Sequence, residues 1–136
     1  MSERVVLEPN AEHPITVEPT EGRVTVHIDG QQVADSSNAL TLIESNYPAV
    51  QYIPMRDVDT GLLRKSATTS YCPFKGDAEY FSVAGETETV ADVVWTYNSP
   101  FPAVAMIGRH VAFYTDRADV VISDVDAERS TSPDNS

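Results

Sequence analysis

The chain has 136 residues, of which 41% are hydrophobic, and a formal net charge of −12. That length holds one core rather than two, and no apolar run approaches the roughly 20 residues of a membrane span. Nine cations among 21 acids do not make the basic surface that nucleic acids or anionic membranes require, so neither is expected as a partner, and the acidity reads as solubility and self-avoidance.

One cysteine, Cys72, excludes an internal disulfide and argues against a secreted, cross-linked scaffold. The start, MSERVVLEPNAEH, has no cationic segment leading into a long apolar one, so no signal peptide is expected. A reducing cytoplasm is the expected location. Residues 1–12 are polar and aperiodic and read as a flexible N-terminal segment. Residues 124–136, with Asp124, Asp126, Glu128 and Asp134 against Arg129, read as a disordered acidic tail. The folded domain is thereby assigned to 13–123.

Along that domain, Arg23–Ile28 alternates at period two, with Val24, Val26 and Ile28 on one face. Asp29-Gly30 follows, the preferred pair for a type I′ turn, and Gln31–Asp35 returns as the partner strand. Ser36–Ser45 sets Leu40 and Ile43 at helical spacing behind possible Ser and Asn caps and reads as a short helix or turn. Tyr47–Pro54 reads as extended, and the prolines at its ends suit an edge strand. Arg56–Ser66 reads as one or two helical turns, with Asp57 as cap and Val58, Leu62 and Leu63 facing inward. Gly76–Gly85 alternates again, and Val90–Asn98 is a strong β run. Ala103–Ile107 suits one helical turn after two prolines, and Val111–Ser123 reads as a second hairpin turning near Asp116–Arg117. The expected fold is mainly β, a small antiparallel barrel- or sandwich-like domain with a few short helices.

Familiar chemical motifs are absent. Cys72 stands alone, and His13, His27 and His110 are far apart with no paired spacing, so no metal site is expected. Gly61–Ser66, GLLRKS, ends like a phosphate loop but lacks the glycine before its lysine, and neither GxGxxG nor GxSxG occurs. No cofactor is expected. What remains is TTSYCPFKGDAEYFSV, Thr68–Val83, which holds Cys72 and Lys75, one of two lysines. A thiol near an ammonium is a candidate nucleophile; the plainer reading is a buried, inert sulfur. Lys75 can hold an anionic group or, desolvated, form a Schiff base, or it can simply be a turn residue before Gly76. Tyr71, Tyr80, Trp95 and Tyr97 can converge as a ligand-binding wall, since Trp95 and Tyr97 share a strand face; they make an equally good core. Asp57, with Asp77 and Glu79, is a candidate acid or base, and Arg56 a candidate anion clamp or a surface ion pair.

HPITVEP, YPAVQYIPMRDV, the TxxCPFKGxAxY block and the WxY within ADVVWTYNSPFPAVAMIGRHVAFY, in this order from His13 to about Ile122, resemble the domain of unknown function 427 family. The resemblance implies a compact β-rich domain of the β-tent type, a shape shared with some zinc-binding folds whose ligands this chain lacks. It carries over motif positions as Tyr52, Arg56, Asp57, Cys72, Lys75, Gly76, Tyr80, Trp95 and Tyr97, and no activity. Grouping Tyr52, Arg56, Lys75, Tyr80, Trp95 and Tyr97 into a ligand site, with Lys75, Cys72 and Asp57 as catalytic candidates, is inference from residue chemistry. Two functions follow as expectations: a domain that binds a small anionic or carbonyl-bearing molecule, with or without catalysis, or an assembly module that pairs through the Tyr47–Pro54 edge.

Overall fold

The structure is a computed structural model that describes residues 5–123. Ten strands form two antiparallel sheets, both open. The larger runs in the order β1 (Ile15–Pro19), β4 (Leu40–Glu44), β5 (Val50–Pro54), β9 (His110–Phe113), β8 (Thr89–Tyr97), β7 (Gly76–Ala84), β6 (Leu63–Cys72). The smaller runs β10 (Asp119–Ser123), β2 (Arg23–Ile28), β3 (Gln31–Ser36). Helical structure among the described residues is confined to 3-10 turns at Met55–Asp57, Thr60–Leu62 and Pro102–Ile107.

The β2–β3 hairpin forms as its alternation demands. Asp29 and Gly30 take φ of 47° and 80°, the left-handed pair of a type I′ turn. Val24, Val26 and Ile28 are buried on one face of β2. Their burial, at about 1.5–3 kcal/mol for a fully enclosed aliphatic side chain, fixes the register. The Asp29 carboxylate also accepts hydrogen bonds from the backbone N–H groups of Thr87 and Glu88 at 2.7 and 3.0 Å, tying the hairpin to the β7–β8 loop.

Period-two alternation gives the large sheet two different faces. Ile53, Val83, Val94, Val111 and Phe113 pack with Val24, Val26 and Ile28 of the small sheet in one core. Leu42, Tyr52, Ala78, Tyr97 and Ala112 face the other way and form a second core with Val104 and Ile107 of the Pro102–Ile107 turn. Asp92, at φ 49°, marks the irregularity in β8 where the register against β7 shifts between Phe81 and Val83. Beyond it Val94 joins the first core, and Trp95 and Tyr97 join the second.

Four expectations are corrected. Ser36–Ser45 contains strand β4, not a helix, because Leu40 and Leu42 alternate against Tyr52 and Val50 of β5. Tyr47–Pro54 is no edge: β5 lies between β4 and β9, and Pro54 comes at the end of the pairing, opposite His110. Val111–Ser123 is not a hairpin, since β9 pairs with β5 and β8 whereas β10 crosses to β2. Arg56–Ser66 keeps two short turns, and Val58, Leu62 and Leu63 reach the first core, but strand β6 begins at Leu63 and the cap is Asp59, which accepts from Gly61 N, rather than Asp57. Of residues 5–12, Leu7 donates its N–H to Pro73 O at 2.9 Å, and Val5 O accepts from the Tyr71 hydroxyl. The acidic-tail assignment at 124–136 lies outside the described residues.

Candidate functional site

The site grows from the β6–β7 turn. Cys72, Pro73, Phe74 and Lys75 close a tight turn in which Lys75 N donates to Cys72 O at 3.1 Å. Gly76 completes it at φ 113°, a conformation that L side chains rarely adopt, and a Cβ there would meet Ser99 O at 3.3 Å. Phe101 N donates to Lys75 O at 3.1 Å, which holds the turn against the loop after β8. The result directs Lys75 inward: it is 8% exposed, and its ammonium donates to Glu44 Oε1.

Glu44 ends β4. Its other oxygen, Oε2, accepts from His13 Nε2 at 2.8 Å, and the His13 ring stacks on Phe74 with centroids 4.1 Å apart and planes 6° from parallel. Burial alone would raise the Glu44 pKa, but hydrogen bonds from Lys75 and His13, with their charges, lower it below the usual carboxylate value. A buried ammonium needs such a partner, and β4 brings it from 31 residues away.

Beside this pair the second face of the large sheet carries a row of rings. Leu40 lies across from Tyr52, Ala112 from Trp95 and Trp95 from Tyr80; continuing the Ile53–Val111 register sets Tyr52 across from Ala112. Alanine leaves room for the two rings that flank it to meet: Trp95 and Tyr52 pack edge to face at 6.4 Å, and Trp95 Nε1 donates to the Tyr52 hydroxyl at 3.2 Å. Trp95 also packs on Tyr114 at 4.5 Å.

These groups enclose a cleft of about 250 Å³, with Glu44 and Lys75 at its polar end, Tyr52, Tyr80, Trp95, Tyr97 and Tyr114 along it, and Tyr47 and Pro48 at its rim. Burial raises the pKa of Tyr52 and of Tyr97 above the ordinary phenol value, and burial together with the Tyr80 hydroxyl pushes Tyr114 up to about 12. All three therefore keep their protons at neutral pH and can donate them. The Tyr52 oxygen already accepts from Trp95, which leaves its proton for another acceptor. Tyr97 is 7% exposed, and no described residue hydrogen-bonds its hydroxyl. Leaving such a group unpaired costs roughly 1–3 kcal/mol.

Of the residues singled out from sequence, Tyr52, Lys75, Tyr80, Trp95 and Tyr97 line this one cleft. Arg56 does not: it is exposed on the Met55–Asp57 turn. Asp57 is also elsewhere, accepting from Ser36 Oγ at 2.6 Å. Cys72 is half-buried against the second core, and Tyr71 packs edge to face with Phe101. Sequence reasoning missed Glu44, His13 and Tyr114. Glu44 sits in a segment read as helical, and nothing local marks it. For His13 and Tyr114 the signal was their place in the matching segments HPITVEP and GRHVAFY. No group of three or more His, Cys, Asp or Glu residues suited to a metal ion occurs among the described residues, and no described helix is long and apolar enough to cross a membrane.

Fold and cleft together define a two-sheet antiparallel domain with a paired lysine and a row of aromatic rings on the face turned away from the smaller sheet. The chain matches the family model described as domain of unknown function (DUF427) over residues 16–124, and it belongs to that family. No curated protein matches it.

Proposed function

We propose that the domain binds a small molecule through a carbonyl group seated between Lys75 and the tyrosines of the cleft. The observation that carries this reading is Tyr97, a residue 7% exposed whose hydroxyl has no partner among the described residues, in a cleft that Lys75 also lines. A carbonyl oxygen accepts two hydrogen bonds, so one oxygen satisfies Tyr97 together with Lys75 or Tyr52.

The partner of Lys75 narrows the ligand. With Glu44 ionised, the pair is charge-balanced, and the rest of the chain is strongly acidic. A neutral carbonyl compound such as a ketone, amide or lactam fits that balance better than an anion, which meets the Glu44 carboxylate at the same end of the cleft. Protons from an ammonium and a phenol converging on one oxygen polarise a carbonyl, as an oxyanion site does, so the arrangement suits binding first and carbonyl activation second.

Trp95 is the single tryptophan of the chain and stands in the cleft wall, so its fluorescence reports occupancy. Titration with a panel of small ketones, amides and lactams is expected to change Trp95 emission saturably and to raise the melting temperature. Tyr97→Phe is expected to weaken the responding compounds roughly tenfold, in line with about 1.5 kcal/mol for a buried hydrogen bond. Responses that persist unchanged in both Tyr97→Phe and Lys75→Met would overturn the reading.

A further inference from the structure

The polar cleft does not end at its aromatic wall. A second cleft of about 450 Å³ adjoins it, and the two share Tyr47, Pro48, Val50, Trp95 and Tyr114. Its own walls are Ala49 and Gln51 on one side and Phe113, Val120 and Ile122 on the other. It thus opens where the two sheets diverge, with β5 and β9 on the large sheet and β10 on the small one.

Strand β10 gives this second cleft an apolar wall. Val120 and Ile122 are two residues apart and share a face, and Val120 packs on the core between the sheets. Ile122, paired with the buried Val24, therefore lies on the face toward the other sheet, yet it is 49% exposed where it lines the second cleft. Tyr47, at the junction of the clefts, is 62% exposed. Apolar surface left open inside a concavity, continuous with a polar end, is the pattern of a site for a molecule with two unlike ends.

We propose that the ligand is amphipathic, with its carbonyl head between Lys75 and Tyr97 and an apolar tail running past Trp95 into the cleft lined by Val50, Phe113 and Ile122. The proposal rests on the carbonyl reading above and adds the class of molecule: a ketone or amide bearing a medium-length alkyl or aryl chain. Trp95 is the hinge of the site. Its ring N–H is spent on Tyr52, so its faces and edges are left for apolar contact.

The test is a homologous series, 2-butanone to 2-octanone, titrated into the full chain with Trp95 emission as readout. Affinity is expected to rise two- to fourfold per added methylene, the upper figure being that of full burial. In Ile122→Ser the rise with length is expected to flatten; this half-exposed position tolerates serine, and circular dichroism checks that the fold is kept. In Tyr97→Phe every member is expected to weaken by one common factor while the slope remains. A flat series in the wild-type chain, or an unchanged slope in Ile122→Ser, overturns the tail while head binding that depends on Tyr97 stands. No binding anywhere in the series, or binding indifferent to Tyr97→Phe, overturns both.

Discussion

Replacing Glu44 by leucine strands the Lys75 ammonium in a space where it is 8% exposed. Removing one member of a fully buried pair costs about 3–5 kcal/mol, because the other charge is left uncompensated. The Glu44 side chain retains 16% exposure, so water offsets part of that penalty, and about 2–3 kcal/mol is the expected loss. For a domain of this size each kcal/mol lowers the melting temperature by roughly 3–5 °C, which places Glu44→Leu some 6–15 °C below wild type. Lys75→Met is expected to fall by less, since Glu44 keeps its bond from His13. The double variant is the decisive arm: with both charges gone no ion is stranded, and stability returns to within about 1 kcal/mol of wild type. Urea unfolding at pH 7 measures all three. The pH dependence has a fixed sign. The folded-state pKa of Glu44 is lowered, so its contribution is complete above the unfolded carboxylate pKa and disappears as pH falls through the folded value. The gap between wild type and Glu44→Leu is therefore expected to narrow in acid. Additive losses in the double variant, or a gap that widens in acid, would refute the account of Lys75 as a buried cation held by Glu44.

Tyr97→Phe, the variant proposed to weaken ligand binding, is expected to leave the free protein unchanged or more stable by up to about 1 kcal/mol, because it deletes the hydroxyl of a buried residue that has no described partner; chemical denaturation without ligand measures this. Ala112→Leu inserts a branched side chain between Tyr52 and Trp95 at a position with no exposed surface; overpacking of about 1–3 kcal/mol and a shift in Trp95 emission, as its bond to Tyr52 breaks, are expected. Arg56→Ala, on an exposed turn away from the cleft, is expected to change stability by less than about 0.5 kcal/mol and to leave ketone titrations as they were.

The parts of the fold that were legible in the sequence are those in which local rules and tertiary demands agree. Val24, Val26 and Ile28 ahead of Asp29-Gly30 specify strand and turn together, and the spacing of Trp95 and Tyr97 does place both on one face. Failures occurred where a short segment fits two periods. Leu40 and Ile43 suit a helix, but Leu40 and Leu42 suit a strand, and pairing with β5 decided the matter. Likewise β9 and β10 look like two arms of one hairpin, and only the sandwich shows that the connection changes sheets. Glu44 was unreadable for the same reason: its partner is 31 residues away, and a carboxylate in an acidic chain carries no local mark. Arg56 errs in the opposite sense, since it stands in a matching motif and yet lies on the surface outside the cleft.

Why a cleft should form on this face follows from the unequal sheets. Seven strands in the large sheet present two faces that need cover, and three strands in the small sheet cover one of them. The other is covered by the Pro102–Ile107 turn, whose Val104 and Ile107 reach the second core. Aliphatic side chains left open over the remaining area would invite association. Tyrosine and tryptophan meet that constraint differently, since each buries a ring and still presents a polar tip. Tyr52 and Trp95 meet over Ala112, and Tyr80 stands beside Trp95 on the next strand, so this part of the sheet is shielded by rings whose polar tips line the cleft. Lys75 then enters from the turn at one end, and only because Glu44 is there to receive it. The same arrangement that completes the fold therefore leaves hydroxyls and a paired ammonium around a cleft of about 250 Å³, so that Glu44→Leu and Ala112→Leu test its part in folding while Tyr97→Phe tests the binding proposed for it.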